Sequence, residues 1–77
     1  MDESRAIFIG KESVDSGNVY DGWCVEPGEE YDISIIDLTK RPGNSNVKYV
    51  VIFSDDPYAG IEYNDLESVY NDWRFIN

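Results

Sequence analysis

This chain of 77 residues offers sixteen carboxylates, six phenols, one thiol and no imidazole. Without histidine, no proton can be run through imidazole and no metal can be held by one. Cys24 therefore has no histidine base to activate it, and a free cysteine beside Trp23 in an apolar stretch reads as a small buried hydrophobe. Being alone, it closes no internal disulfide, which points to a reducing compartment, the cytoplasm. A pair of carboxylates could do acid–base work. With sixteen on a small surface, however, adjacency arises by chance. The run Asp55-Asp56-Pro57-Tyr58-Ala59-Gly60-Ile61-Glu62 has neither the alternating ligands nor the correctly spaced Glu of a calcium loop. Arg41-Pro42-Gly43-Asn44 lacks the spaced glycines and the lysine of a phosphate loop. No catalytic residue, metal site or cofactor is expected.

What remains is charge. The net formal charge is −10 and the isoelectric point is near 4.1. Residues 12–38 carry eight acids and no base, residues 39–48 carry three bases and no acid, and residues 49–73 carry six acids and no base. Two acidic lobes thus flank one small basic segment. Nucleic acid and anionic membranes both require a basic surface, so neither is expected as a direct partner. A basic protein is. The candidate contact residues are Glu26, Glu29, Glu30, Asp32 and Asp37 in the first lobe, and Asp55, Asp56, Glu62, Asp65, Glu67 and Asp72 in the second. Glu30 and Asp32 stand two apart on a strand, about 6.7 Å at the usual rise. That is comparable with the separation of successive phosphates, so a carboxylate-studded surface can imitate a nucleic acid backbone. Solubility is the plainer use of the same acids, but self-repulsion at this density costs stability in a thin-cored domain.

The elements that must position these groups read mostly as strands. Ala6–Ile9 is a short apolar run ended by Gly10. Val19–Val25 alternates, with Val19, Trp23 and Val25 on one face and Tyr20 and Cys24 on the other. Pro27-Gly28 forms a turn. Tyr31–Leu38 is a strand with Tyr31, Ile33 and Ile35 on one face. Arg41–Asn46 is dense in turn formers and predicts a hairpin loop. Val47–Phe53 is the next strand, Ser54–Pro57 a turn, and Gly60–Tyr63 a short strand. The period then changes: Leu66, Val69, Tyr70 and Trp73 lie on one face of a short helix capped by Asn64, with Glu67 three residues on. Trp73 is its anchor, and Arg74–Ile76 closes the fold as a strand or a cover. A single β-rich α+β domain over residues 1–77 results, with about four to five strands and one short C-terminal helix. An exposed edge strand could pair two copies into a homodimer.

Over residues 26–76, the run Pro27-Gly28-Glu29-Glu30-Tyr31-Asp32-Ile33, the following strand, loop and strand, and Ile61-Glu62-Tyr63 leading into Leu66 resemble small SH3-like barrel proteins common in phage genomes. A small antiparallel sheet with the helix across one face is the other architecture the pattern allows. Small size, strong acidity, abundant Tyr and Trp, no His and no enzymatic motif together resemble the early host-takeover proteins of bacteriophages. That resemblance implies a DNA mimic in the host bacterial cytoplasm, occupying the DNA-binding surface of a basic protein such as a nucleoid-associated HU-like protein. The alternatives it implies are an acidic inhibitor of RNA polymerase or of a CRISPR or restriction nuclease, or a small virion assembly protein.

Overall fold

A computed structural model describes residues 4–41, 43 and 46–76. Its elements are β1 (Ser4–Phe8), β2 (Val14–Asp15), β3 (Cys24–Val25), β4 (Glu30–Asp37), β5 (Tyr49–Phe53), β6 (Asp56–Tyr63), α1 (Leu66–Asp72) and β7 (Trp73–Phe75). Five strands form an antiparallel sheet in the order β6-β5-β4-β1-β7, and β2 and β3 form a separate two-stranded ribbon. This is the β-rich α+β class that the periodicity predicts. It has the form of an antiparallel sheet whose edges are β6 and β7.

Because side chains alternate along each strand, the register sorts the sheet into two faces. Tyr31, Ile33 and Ile35 of β4 stand level with Ala6 of β1 and with Phe53 and Val51 of β5. They share the inner face with Ile61 and Tyr63 of β6 and with Trp73 and Phe75 of β7. Val69 of α1 and Val25 of β3 close over this face, and both are fully buried in one hydrophobic cluster. The cluster is largely aromatic. Phe8 meets Trp73 edge-on at 5.2 Å between ring centroids, Tyr31 and Phe53 each meet Trp73 at 5.9 Å, and Trp23 meets Phe53 at 5.2 Å. Edge-to-face contacts of this kind stabilise by about 0.5–1.5 kcal/mol beyond area burial. The outer face carries Arg5 and Ile7, then Glu30, Asp32, Ser34 and Ile36, then Val50 and Ile52, then Gly60 and Glu62.

Five expectations are corrected, the fifth at the start of β6. The alternating stretch Val19–Val25 is a strand only at Cys24–Val25, and Val19 and Tyr20 are exposed. Period-2 spacing there comes from a loop held by its polar residues. Cys24 is exposed rather than buried, because Val25 takes the inward position opposite Val14. The helix cap is Asp65, not Asn64. The Asp65 carboxylate accepts from the Ser68 amide at 2.7 Å, a donor for which Asn64, four positions earlier, stands one residue too far back. Of the helical stripe, Val69 is buried in α1 while Leu66 and Tyr70 are exposed. Trp73, 1% exposed, is the first residue of β7 and the C-cap of α1. The chain passes from helix to strand without a linker, which is how so short a helix is docked.

One turn matches its chemistry. Gly28 adopts φ +86° after Pro27, and the Glu29 amide donates to the Glu26 carbonyl at 3.3 Å, as a Pro-Gly turn requires. Strand β6 starts at Asp56, four residues earlier than the apolar run implies. Its register jumps between Ile52↔Gly60 and Phe53↔Asp56, so Pro57–Ala59 bulge from an edge strand. Proline is tolerated at such a bulge, where its missing N–H leaves no ladder bond unmade. Of the expected hairpin loop, Pro42, Asn44 and Ser45 lie outside the described residues.

Candidate functional site

Two polar residues, Ser16 and Asn18, are buried in an otherwise apolar interior, and they organise one end of the molecule. Asn18 Oδ1 accepts from the amides of Tyr20 at 2.7 Å and Asp21 at 3.0 Å, and its carbonyl accepts from Gly22 at 3.0 Å. Asn18 Nδ2 donates to Asp56 Oδ2 at 2.5 Å, and the Trp23 indole donates to the same oxygen at 2.7 Å. The other carboxylate oxygen of Asp56 accepts from the Tyr58 amide at 3.0 Å. One half-buried carboxylate thus ties residues 18–23 to the start of β6. The Trp23 indole favours its charged form most: together with Asn18 and the Tyr58 amide it keeps Asp56 below the usual carboxylate range, against the opposing pull of burial.

The tie places two aromatic rings together in solvent. Tyr20 and Tyr58, 77% and 66% exposed, meet edge-on with centroids 5.2 Å apart. Beside them lies a depression of about 450 Å³ bordered by Asn18, Tyr20, Asp21, Asp55, Asp56, Pro57 and Tyr58. Tyr58 also borders a second groove of about 610 Å³ on the outer sheet face, with Val50, Ile52 and Gly60 in its floor and Asp15 and Glu62 on its margin. The groove exists because Gly60 puts no side chain between Val50 and Ile52. Its open side is bounded by residues 15–17, which lie on the edge of β6. The Gly60 amide donates to the Ser16 carbonyl at 2.8 Å. A Cβ at Gly17, whose φ is +87°, would sit 2.5 Å from the Gly60 carbonyl oxygen. Among the described residues, five carboxylates border the two depressions and no lysine or arginine does.

The eleven acids singled out by the sequence are distributed unevenly over this frame. Asp55, Asp56 and Glu62 belong to the tyrosine end. Glu30 and Asp32 project from the outer face of β4, where Arg5 meets them at 3.4 and 3.3 Å. Glu26 accepts from the Ser13 hydroxyl at 2.5 Å, and Glu29 is exposed in the turn before β4. Asp37 accepts from the Thr39 hydroxyl and amide, which lower its pKa. Asp65 caps α1, and the Ser68 amide lowers its pKa. Glu67 is exposed in the first helical turn. Asp72 accepts from the Tyr63 hydroxyl at 2.9 Å, and that oxygen in turn accepts from the Trp73 indole at 3.0 Å. Burial first, then Asp72, pushes the Tyr63 phenol well above its ordinary range.

In both lobes several acids are engaged in holding the fold. The structure adds Asp15, Asp21, Tyr20, Tyr58 and the glycine-floored groove. In the sequence, Asn18 followed two and five residues later by Tyr20 and Trp23 was the available signal for an asparagine-centred loop. Among the described residues, no group of three or more His, Cys, Asp or Glu side chains is arranged to hold a metal ion, and no helix is long and apolar enough to cross a membrane. No family model, no curated protein and no solved structure matches the chain.

Proposed function

We propose that the protein is a non-enzymatic acidic ligand for a basic host protein, occupying the surface with which that partner binds nucleic acid. The observation that carries this reading is the tyrosine end: an exposed Tyr20–Tyr58 pair amid five carboxylates, with no base beside them among the described residues. Exposed tyrosines supply rigid contact area at protein interfaces. Carboxylates take the lysines and arginines that otherwise meet phosphates. Charge draws the partner in and sets the salt dependence, while the aromatic pair supplies selectivity.

The test is capture from a bacterial lysate on immobilised protein at rising salt, followed by elution with duplex DNA. The expected result is a nucleic-acid-binding protein that DNA displaces and that salt weakens steeply. The discriminating variant reverses Asp21, Asp55 and Glu62 to lysine. All three side chains are exposed, and the capping and internal donors are held by Asp56, Asp65 and Asp72 instead. The fold therefore survives, as circular dichroism would verify. Recovery of a capsid component instead, or undiminished capture by the triple variant, would overturn the reading. The wild-type protein itself is expected not to shift duplex DNA in a gel at physiological salt.

A further inference from the structure

We infer that the groove over Gly60 is a receptor for an arginine side chain of the partner, an inference that rests on the reading of the protein as a ligand for a basic surface. Three features of the groove match three parts of that side chain. Its floor is apolar, made by half-buried Val50 and Ile52 with bare backbone at Gly60 between them, and it suits the aliphatic stem that long cationic side chains lay on apolar surface. Its margin holds Asp15 and Glu62, both exposed, which offer acceptors to the five donors of a guanidinium fork. Tyr58 supplies an aromatic wall on which a guanidinium plane stacks. Asp15 has one oxygen taken by the Gly17 amide at 2.8 Å, which fixes the carboxylate and leaves its second oxygen to the ligand. Charge complementarity selects this occupant over a second copy of the chain, which carries the same excess of ten negative charges.

Gly60 allows a clean test. A Cβ there would lie 3.4 Å from Val50 Cγ1 and 4.0 Å from Ile52 Cγ2, ordinary contact distances, and its φ is not in the left-handed region. Those distances admit a Cβ at Gly60, and the two methyls that valine carries beyond it occupy the groove, on a β-branched residue that suits a strand. The probe is a capped glycine–arginine–glycine tripeptide titrated into isotopically labelled protein, followed by amide chemical shifts. Saturable shifts confined to residues 15–17, 50–52 and 58–62 are expected, weakening as salt rises. The neutral citrulline tripeptide and the lysine tripeptide are expected to bind at least about tenfold more weakly, as loss of a forked charged pair implies. Gly60→Val should abolish the arginine shifts. Should that variant fail to fold, Asp15→Asn with Glu62→Gln carries the test, since the carboxamide introduced by the first substitution keeps an acceptor for the Gly17 amide. Equal binding of citrulline or lysine, shifts scattered over the whole acidic surface, or unaltered binding by both variants would overturn the inference. If Gly60→Val still captures the partner like the wild type, the groove inference falls and the broader function stands. If the peptide seats in the groove but no DNA-displaceable protein is captured, the groove stands and the broader function falls.

Discussion

Asp56 accepts from the Trp23 indole, the Asn18 amide and the Tyr58 backbone at once, so its charge holds the tyrosine end together. Its folded pKa lies below the ordinary value of 3.8. The stability it contributes is therefore present above that value and is lost as pH falls through the lowered one. We expect the Trp23 indole N–H resonance to move toward its solvent-exposed position in acid below pH 3.8, while the Trp73 indole, bonded to a phenol, stays. Asp56→Ala should give the Trp23 change at neutral pH and separate Tyr20 from Tyr58. A Trp23 signal indifferent to both acid and substitution would refute this role. Tyr63 works in the opposite sense. Burial and Asp72 favour its neutral phenol, so its contribution is present below pH 10.0, the ordinary value, and declines as pH rises through the raised one. Tyr63→Phe strands the buried Trp73 N–H and should cost about 1–3 kcal/mol, read as a lower thermal midpoint. Trp73→Ala should cost more, about 3–5 kcal/mol for a large buried aromatic, and release α1 with it.

Among the elements, residues 15–17 approach β6 closely, the Gly60 amide donating to the Ser16 carbonyl at 2.8 Å. Gly17→Ala adds a Cβ within 2.5 Å of the Gly60 oxygen and forces alanine into φ +87°, a conformation L residues rarely adopt. Gly28 shares the positive φ but has open space around it. Gly17→Ala should therefore lower the melting temperature clearly more than Gly28→Ala, and it should weaken partner capture by moving the loop that carries Tyr20. Equal effects of the two would mean that strain alone matters and the close approach does not. The strands were legible because period-2 alternation in Tyr31–Leu38 and Val47–Phe53 reports burial on one sheet face directly. Residues 19–23 were not, because Val19 and Tyr20 alternate like a strand yet their exposure is set by Asn18 bonding 38 positions away to Asp56. Asn64 and Asp65 are both good caps, and only the position of the Ser68 amide chooses between them. At the site, the excess of acid was plain. Which acids remain available was not, since Arg5, Tyr63 and Trp23 engage theirs through tertiary contacts.

Taken whole, the molecule measures 34 × 29 × 24 Å. At about 0.01 M salt the screening length is roughly 30 Å, so every charge feels every other, whereas at about 0.15 M it is roughly 8 Å and only neighbours interact. With ten excess negative charges and, among the described residues, ion pairs centred on Arg5, self-repulsion outweighs those exposed pairs, which contribute at most about 1 kcal/mol each. The thermal midpoint should therefore rise on adding sodium chloride, by about 4–8 °C per kcal/mol relieved. A midpoint that falls would show the ion pairs to dominate. The same strand order has a bearing on attachment. Pairing of β1 with β7 sets Ala6 opposite Phe75, so residues 4 and 76 leave the sheet side by side, on the flank away from β6. Four strand spacings, roughly 19 Å, separate that flank from the Tyr58 edge. A label carried on Ser4 or Ile76 therefore stands three or four strand spacings from the groove over Gly60 and can report its occupancy without filling it.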